Sequence, residues 1–218
     1  MEGSKTALPS PNIDLYQQFE QRDIPILFIY GCYPQLKKHT SITDDNLGGG
    51  YQLTNYLINK GHTNIAGIFK IDDLQGHGRY NGYLKALTDA NLSFSDKNVL
   101  WFDTDSREHL LNDHHIFFDS FCETVLKKCT AVVCYNDEIA YYLVKTLLNK
   151  GVNIPDDIAV VSFDNSQLSE LSPIKITSLA HGTRRIGQKA AMQMLNLIDK
   201  NEVNSETVSW TLVEKESS

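Results

Sequence analysis

The sequence is short of positive charge. Its 218 residues include 20 lysines and arginines against 27 aspartates and glutamates, which gives a formal net charge of -7 at pH 7. Sequence-independent binding of nucleic acid needs clustered lysines and arginines that neutralise phosphates. The charge balance therefore excludes DNA as a partner of this segment by itself.

Cysteine is scarce, and the apolar stretches are short. Cys32, Cys122, Cys129 and Cys134 show no metal-ligand spacing, and the last two lie in or beside an apolar run, so we predict free buried thiols in a reducing cytoplasm. No stretch approaches the roughly 18 apolar residues of a membrane helix. The first 14 residues carry no apolar core of a signal peptide. We therefore expect a cytoplasmic protein with no membrane partner.

The chain also lacks the motifs of common enzyme classes. The glycines of QGHGRYNG, residues 75–82, miss the dinucleotide fingerprint by one residue, and the G-K-[ST] of a P-loop is absent. Asp72 and Asp73 precede these glycines and would repel a phosphate, and adjacent side chains diverge in an extended stretch, which makes a poor catalytic pair. A nucleophile elbow is also missing. We expect no catalytic residue, metal or cofactor, and an enzyme such as a sugar hydrolase is the least favoured alternative.

Apolar runs of strand length alternate with helical patterns along the chain. The runs are ILFIY, NIAGIFK, NVLWF, AVVCY, IAVVSF, KITSLA and TVSWTLV, and the last of them, residues 207–213, is predicted as one strand. The predicted helices include a long one over 109–128 and one over 137–150 that Asp137 caps. Gly61 and Gly151 are expected to end helices in a left-handed conformation. This order is typical of an α/β fold with parallel sheets covered on both faces.

Polar side chains follow several of these runs, where the carboxyl ends of parallel strands form a ligand crevice. They occupy residues 70–75, 136–138 and 164–167, and position 181. Carboxylates accept hydrogen bonds, lysine and arginine donate them and amides do both, which suits the hydroxyls of a sugar. Nearby aromatic rings supply an apolar wall. The mixture favours binding of a neutral sugar without turnover.

Several segments together resemble a known family. They are SITDDNLGGGYQLTNYLINKGHTNIAGI, GRYNGYLKAL, AVVCYNDEIAYYLV, IPDDIAVVSFDNS, ITSLAHGTRRIGQKAA and SWTLVEKESS, and in this order they resemble the effector-binding core of the LacI/GalR bacterial repressors. SKTALPSPN, IFKIDDLQG and VVCYNDEIA narrow the resemblance to arabinose-responsive members from Gram-positive bacteria, in which a GntR-type winged helix precedes this core. The resemblance implies a periplasmic-binding-protein-like fold, with two Rossmann-like lobes, three crossovers and the sugar in the cleft between the lobes.

The same resemblance implies a set of ligand-binding residues. Asn136 and Asp164 match the asparagine of an N-D-x-x-A pattern and the aspartate of a V-V-x-[FY]-D pattern. His77 stands where many relatives have an arginine, and the alternative role of Arg79 is to pair with a carboxylate inside its own lobe. The implied residues are Lys70, Asp72, Asp73, Gln75, His77, Arg79, Asn136, Asp164 and His181.

The resemblance also places the lobes along the chain. It assigns residues 1–92, completed by 182–204, to the first lobe, and residues 93–178, completed by 206–214, to the second. Members of the family begin the first lobe with two further βα units before the segment that reads QFEQRDIPILFIYG here. We therefore expect an incomplete first lobe with an exposed apolar edge that is prone to association.

The implied function is that of a sugar-responsive effector-binding domain. L-arabinose or a related sugar would modulate DNA binding by a separate winged-helix domain that is absent from this chain. A homodimer is expected, because paired half-sites on DNA suit a two-fold protein. The alternative is a solute-binding receptor of a sugar transporter, which needs an export signal that the sequence does not show.

Overall fold

The structure of the chain is a computed structural model that describes residues 12–33, 35–182 and 186–218. The helices are α1 (Ile13–Gln21), α2 (Asn46–Asn59), α3 (Leu74–Asp89), α4 (Thr104–Asn112), α5 (His114–Thr124), α6 (Asp137–Asn149), α7 (Gln167–Leu171) and α8 (Ile186–Ile198). The strands are β1 (Leu27–Ile29), β2 (Thr40–Asp44), β3 (Ile65–Lys70), β4 (Val99–Phe102), β5 (Ala131–Cys134), β6 (Ala159–Asp164), β7 (Thr177–His181), β8 (Glu206–Val208) and β9 (Trp210–Val213). Among the described helices, none is long and apolar enough to cross a bilayer.

The strands form two sheets. The smaller has the order β1-β2-β8 and is parallel, and the larger has the order β4-β3-β5-β6-β7-β9. In the larger sheet, neighbours are parallel except β7 and β9, which pair antiparallel with His181 opposite Trp210. The predicted α/β class with parallel sheets is confirmed. Each sheet is the centre of one lobe, and we call the lobe of the smaller sheet the first lobe.

The predicted boundary between the lobes at residue 92 is wrong. β3 was assigned to the first lobe, but it pairs with β4 and β5 inside the larger sheet. Leu57 of α2 and Tyr83 of α3 are buried in one core cluster with Phe163 of β6, so both helices belong to the second lobe. An apolar run that is buried on both faces fits the middle of either sheet, and its pattern therefore does not identify its neighbours.

Two further predicted lobe boundaries also shift. The second lobe continues beyond the predicted residue 178, and the chain leaves the first lobe inside the segment 207–213 that is predicted as one strand. β7 continues to His181, and α8 covers the smaller sheet, where Ile42, Ala190 and Val208 form a buried cluster. The predicted strand over 207–213 breaks at Ser209, so β8 pairs with β2 and β9 pairs with β7. The physical reason is the crossover itself, because one extended segment contributes a short strand to each lobe.

The predicted helix over 109–128 is also interrupted. α4 ends at Asn112, and Asp113 has a non-helical backbone with φ −151° and ψ 86°. The Asp113 carboxylate accepts a hydrogen bond from the backbone N–H of Ile116 at 3.2 Å, which caps the start of α5. The polar stretch after β6 contains the short helix α7, which the sequence analysis treated as a loop.

Two glycines end helices as predicted. Gly61 and Gly151 have φ values of +96° and +75°, the left-handed region that favours glycine. The N–H of His62 donates to the carbonyl of Leu57 at 3.1 Å, which is the bond expected after such a helix end. These turns lead directly into β3 and towards β6, whose carboxyl ends carry candidate ligand residues.

The described crossovers between the lobes meet at one tryptophan. Trp210 Nε1 donates to the backbone carbonyl of Asp45 at 3.0 Å, and the indole lies 4.6 Å from the His181 ring, centroid to centroid. The Asp45 N–H donates to the carbonyl of Val208 at 2.9 Å. Trp210 therefore contacts the connection at Asp45 and the last residue of β7, and it directly follows the connection at Ser209. These connections run through Asp45, Gly182 and Ser209.

β1 lies at the edge of the smaller sheet. Within the described residues its strand neighbour is β2 alone, and Ile24 and Ile29 are 43% and 42% exposed. A cavity of about 410 Å³ opens beside this strand, with Tyr16 and Met194 in its lining. The first lobe thus presents the exposed apolar edge that we expected, and its tendency to associate stays a prediction.

The four cysteines are free thiols. Cys122, Cys129 and Cys134 are buried, and Cys32 is half-buried. Burial raises the pKa of Cys122 to about 11, so this thiol stays protonated at neutral pH. Cys129 and Cys134 pack in the core beside β5, as their apolar sequence context predicts.

Candidate functional site

Asp44, His181 and Asp164 lie together between the lobes. His181 Nδ1 is 3.1 Å from Asp44 Oδ1, and its Nε2 is 4.0 Å from Asp164 Oδ1. Asp44 ends β2 of the first lobe, whereas Asp164 and His181 end β6 and β7 of the second. The hydrogen bond with Asp44 is the main cause of a raised pKa of His181, and both carboxylate charges add to it against the effect of burial. The imidazole can therefore link carboxylates from the two lobes.

Arg79 brings a buried positive charge to the same place. The residue is 2% exposed, and its guanidinium donates to the Tyr135 carbonyl and, through Nε, to Asn46 Oδ1 at 3.1 Å. Its Nη2 lies 3.7 Å from Asp164 Oδ1, and its guanidinium carbon lies 4.2 Å from the Phe163 ring centroid. Burial raises the pKa of Asp164, and the charge of Arg79 opposes that rise. Arg79 therefore pairs inside its own lobe and also forms part of the cluster.

Two glycines let α2 and α3 approach closely enough to place Asn46 beside Arg79. A Cβ added to Gly82 of α3 would lie 2.0 Å from the carbonyl oxygen of Leu47, and one added to Gly50 of α2 would lie 2.0 Å from that of Arg79. Any residue with a Cβ would clash at these distances. The backbones of α2 and α3 can therefore touch only because both residues are glycine.

Aromatic rings cover one side of the cluster. The Tyr30 ring centroid is 5.2 Å from that of His181, and Trp210 lies on the same imidazole at 4.6 Å. Phe163 meets Trp210 edge to face at 5.4 Å. Tyr30 is 37% exposed and Trp210 is 7% exposed, so Tyr30 is the ring that a ligand can reach. Such rings provide the apolar wall that the C–H face of a sugar needs.

The start of α3 contacts the first lobe. Gln75 Nε2 donates to the backbone carbonyl of Tyr30 at 2.7 Å. Asp73 caps the helix by accepting from the Gly76 N–H at 2.6 Å, and its other oxygen accepts from the Tyr135 hydroxyl at 2.7 Å. The predicted residues Asp73 and Gln75 are thereby joined to the cluster through Tyr135 and Tyr30.

Lys70 and Asp72 form a neighbouring group of contacts. Lys70 Nζ lies 2.5 Å from Asp72 Oδ1 and 3.6 Å from Asp73 Oδ2, and it donates to Thr104 Oγ1 at 3.0 Å. Burial raises the pKa of Asp72, but hydrogen bonds from Lys70 and Thr104 outweigh burial and hold that pKa below its ordinary value. Asp72 and Asp73 point to different partners, as predicted for adjacent residues. Among the described residues, no three histidine, cysteine or acidic side chains are grouped to hold a metal ion.

Asp164 and Asn165 have unusual backbone conformations, with φ values of 97° and 44°. Each non-glycine residue in such a region costs roughly 1–3 kcal/mol and persists where the surroundings fix it. The Asn165 N–H donates to Ser178 Oγ at 3.0 Å, and Ser178 in turn donates to Asp137 Oδ1 at 2.7 Å. Asp137 also accepts from the Ser166 N–H. This buried network holds the loop that presents Asp164.

The predicted helix cap at Asp137 is wrong by one residue. Asn136 Oδ1 accepts from the Ile139 N–H at 3.1 Å. Asp137 is 1% exposed and accepts instead from the hydroxyls of Ser162 on β6 and Ser178 on β7 and from the backbone N–H of Ser166. α6 begins at Asp137, and the cap is the residue before the first helical one. Asn136 therefore uses its oxygen in the helix, and its amide nitrogen is the part able to contact a ligand.

His77 is a predicted ligand residue that lies away from both the cluster and the Lys70 group. Its Nε2 lies 2.7 Å from the carbonyl oxygen of Ile71, and its ring packs 5.7 Å from that of Trp101 on β4. These contacts are at the edge of the larger sheet. The family motif does not predict this location of His77. Residues two positions apart in a helix point to different sides, so His77 and Arg79 face different sides of α3.

Comparison with known proteins identifies the architecture. The model of the periplasmic binding protein-like domain family matches residues 54–218. The chain belongs to this family.

Sequence relatives of this periplasmic-binding-protein-like domain are transcription regulators. The arabinose metabolism transcriptional repressor of Halalkalibacterium halodurans is 32% identical over 202 residues, which cover 92% of this chain and 52% of the relative. The repressor PurR of Vibrio campbellii is 33% identical over 184 residues, which cover 83% of this chain and 52% of the relative. The chain spans about half the length of these curated relatives. The predicted resemblance to arabinose-responsive repressors is confirmed.

Solved structures share the fold. The transcriptional regulator CelR in complex with cellobiose superposes with a TM-score of 0.80 at 24% identity, covering 94% of this chain and 62% of that one. A sugar-binding regulator of the LacI family from Escherichia coli, in complex with phosphate, has a TM-score of 0.77 at 19% identity and covers 94% of this chain and 72% of that one. This chain therefore shares the fold of these two regulators.

Further residues line the cleft of the domain beyond those that the motifs predict. Tyr30 and Asp44 each stand at or just after the end of a strand, so the rule that found Asp164 also applies to them. Trp210 lies inside a run predicted as one strand, and its role depends on the break at Ser209. Tyr135 looked like the end of an apolar run, but its hydroxyl binds Asp73.

Proposed function

We propose that this domain binds a neutral sugar between its lobes and controls DNA binding by another part of the same protein. The observation that carries the proposal is the cluster in which His181 links Asp44 and Asp164, with Arg79 beside Asp164 and Trp210 on the imidazole. It offers charged acceptors, donors and an aromatic wall within one cleft, which is what a polyhydroxylated ligand needs.

The relatives support L-arabinose or a related sugar as the effector. A repressor named for arabinose metabolism covers most of this chain, and a structural neighbour is a complex with cellobiose. PurR repressors match at a similar identity, so the choice of a pentose is a separate part of the proposal. The ligand residues proposed from the motifs are Lys70, Asp72, Asp73, Gln75, Arg79, Asn136, Asp164 and His181.

The regulatory step is a shift between open and closed lobes. A sugar that contacts Asp44 in the first lobe and Asp164 in the second binds the closed arrangement better, and it shifts the equilibrium by that difference in affinity. The DNA-reading surface is proposed to lie in another domain of the protein, and the net charge of −7 of this chain supports that part of the proposal. A cytoplasmic homodimer that binds its effector without turnover completes the proposal.

Isothermal titration tests the binding claim. The chain is titrated with L-arabinose, D-xylose, D-ribose, D-galactose and cellobiose, and one of them is expected to bind saturably and to be recovered unchanged. Asp164→Asn should weaken that binding by about tenfold or more, because it removes a charged acceptor. The matched control is Asp105→Asn, at an exposed residue in the first turn of α4. No heat with any sugar would contradict the proposal.

A further inference from the structure

Asp44 has a buried carboxylate oxygen that lacks a partner in the described part of the chain. Its side chain is 1% exposed, and Oδ1 faces His181 Nδ1 at 3.1 Å. Oδ2 is buried without a hydrogen bond. A buried carboxylate oxygen left in this way is costly, so native proteins satisfy such groups or use them. Among the residues that the structure describes, none supplies a donor to this oxygen.

The position of Asp44 makes that donor a ligand in the cleft. Asp44 is the last residue of β2, next to the crossover, and it reaches the cluster from the first lobe while Asp164 reaches it from the second. Tyr30 is near both carboxylates. Burial raises the pKa of Tyr30, and the negative charges of Asp44 and Asp164 raise it further. His181 thus lies between the two carboxylates, and the half-exposed Tyr30 ring lies 5.2 Å from its imidazole, centroid to centroid.

A cation is a poor candidate for this donor. Within the described residues, no three metal-binding side chains are grouped together, and Arg79 and His181 already bring positive charge to the carboxylates. An anion is worse, since a phosphate or carboxylate beside the desolvated Asp44 would face strong repulsion. A hydroxyl group donates a hydrogen bond while carrying no charge, which meets both conditions.

We infer that Asp44 is the specificity residue of the first lobe: its Oδ2 accepts a hydrogen bond from a hydroxyl of the effector and rejects ligands that carry an anionic group at that position. The inference rests on the proposed sugar-binding function and adds the chemical class of the effector. The effector is an uncharged polyol with a hydroxyl directed at Asp44, and phosphorylated or acidic sugars are excluded.

Asp44→Asn is the decisive substitution. Asparagine keeps an oxygen that can accept from His181, but it places an N–H₂ donor where Oδ2 stood, so that two donors meet when the ligand binds. Affinity for the neutral sugar should fall by about 10- to 100-fold, the range for a lost hydrogen bond to a charged group. At a pH above the raised pKa of His181, where the imidazole is neutral in both variants, the thermal unfolding midpoint of the free chain should match that of the Asp105→Asn control.

Deoxy and phosphorylated sugars test the same contact without relying on the variant. Monodeoxy analogues of the best neutral ligand are titrated against the unsubstituted chain and against Asp44→Asn. One analogue should bind the unsubstituted chain about tenfold more weakly than its parent, while the variant does not distinguish the two. A monophosphate of the parent sugar, esterified at that same hydroxyl, should not bind the unsubstituted chain.

The outcomes separate this inference from the function on which it rests. If a neutral sugar binds and Asp44→Asn binds it equally well, the role of Asp44 is overturned and the sugar site stands. If every deoxy analogue binds as well as its parent, or the phosphorylated sugar binds, the inference is likewise overturned. If Asp44→Asn lowers the unfolding midpoint without weakening binding, Asp44 is structural. If no neutral sugar binds the unsubstituted chain, the proposed function itself fails.

Discussion

Gln75 of the second lobe donates a hydrogen bond of 2.7 Å to the backbone carbonyl of Tyr30 in the first lobe. Tyr30 has a left-handed backbone with φ 67°, and its own N–H donates to Ile42 at 2.8 Å. One side chain thus holds a strained residue from across the cleft, and the bond forms where the lobes close on each other. Closure and the conformation of Tyr30 are therefore linked.

Gln75→Ala should favour the open arrangement. A neutral hydrogen bond contributes about 1 kcal/mol, so sugar affinity should fall by about fivefold with little loss of overall stability. Hydrogen exchange of the amides in residues 26–33 should become faster, and mass spectrometry can follow it. Thr88→Ala, on the exposed end of α3, is the control. Equal affinity and equal exchange in the two variants would contradict the role of Gln75.

Arg79→Met should destabilise the second lobe. The substitution leaves the Tyr135 carbonyl and Asn46 Oδ1 without their donor and Asp164 without its nearest positive charge. Removing one partner of a buried charge pair costs about 3–5 kcal/mol, and the partial exposure of Asp164 puts the expected loss at the lower end of that range. Urea denaturation measures it.

The matched control for Arg79 is Arg107→Met. Arg107 pairs with Glu138 at 2.6 Å near the surface, and an exposed pair of this kind contributes less than about 1 kcal/mol. A similar loss of unfolding free energy in both variants would show that Arg79 acts as an ordinary surface charge.

His181 should make stability depend on pH. Its folded-state pKa is raised above the ordinary 6.5, first by the hydrogen bond that Asp44 accepts from it and then by the charges of Asp44 and Asp164, while burial and the charge of Arg79 act in the opposite direction. The stabilisation is complete below pH 6.5 and is lost as pH rises through the raised pKa. The free energy of unfolding should therefore fall over this window in the unsubstituted chain, and His181→Gln should remove that fall.

His62 offers a control, because its pKa is shifted in the opposite direction from that of His181. Burial, and then the charge of Lys60, lower the pKa of His62. Its contribution to stability is complete above pH 6.5 and is lost as pH falls through the lowered pKa. Denaturation curves of His62→Gln should keep the fall assigned to His181. Parallel pH profiles for His181→Gln and the unsubstituted chain would refute the assignment.

Ile29→Lys should reduce self-association of the chain. Ile29 is 42% exposed on β1, at the edge of the smaller sheet, and a charged side chain on an edge strand opposes pairing with a second strand. Sedimentation velocity over a range of concentrations should show less oligomer than in the unsubstituted chain. Phe94→Lys, at a residue that is 52% exposed elsewhere, should not have this effect. Equal behaviour of the two variants would place association outside β1.

The sequence predicts strands and helices well where one local pattern decides them. The runs that form β3, β5 and β6 are mainly apolar, and Gly61 marks the end of α2. Sheet membership could not be predicted in the same way, because the pairing of β3 with β5 depends on residues far away in the chain. The break at Ser209 was missed for the same reason, since both halves of that segment favour extended structure.

The site was predicted where a polar residue follows a strand and carries a family motif. Asp164 and His181 meet this condition, and the structure brings them together. His77 meets the motif condition, but its helical position turns it towards Trp101. Asp44 also ends a strand, but it carries no family motif, and its partner in the cluster, His181, is 137 residues away, so nothing local sets it apart from other strand ends.

Trp210 gives the domain a built-in optical probe. The chain has two tryptophans, and the other, Trp101, lies on β4 at the opposite edge of the larger sheet. Trp210 contacts the crossover at Asp45 and stacks on His181, whose charged form quenches indole emission. In a Trp101→Phe background, the fluorescence of this single indole would follow both the protonation of His181 and the movement of the lobes, with no label added.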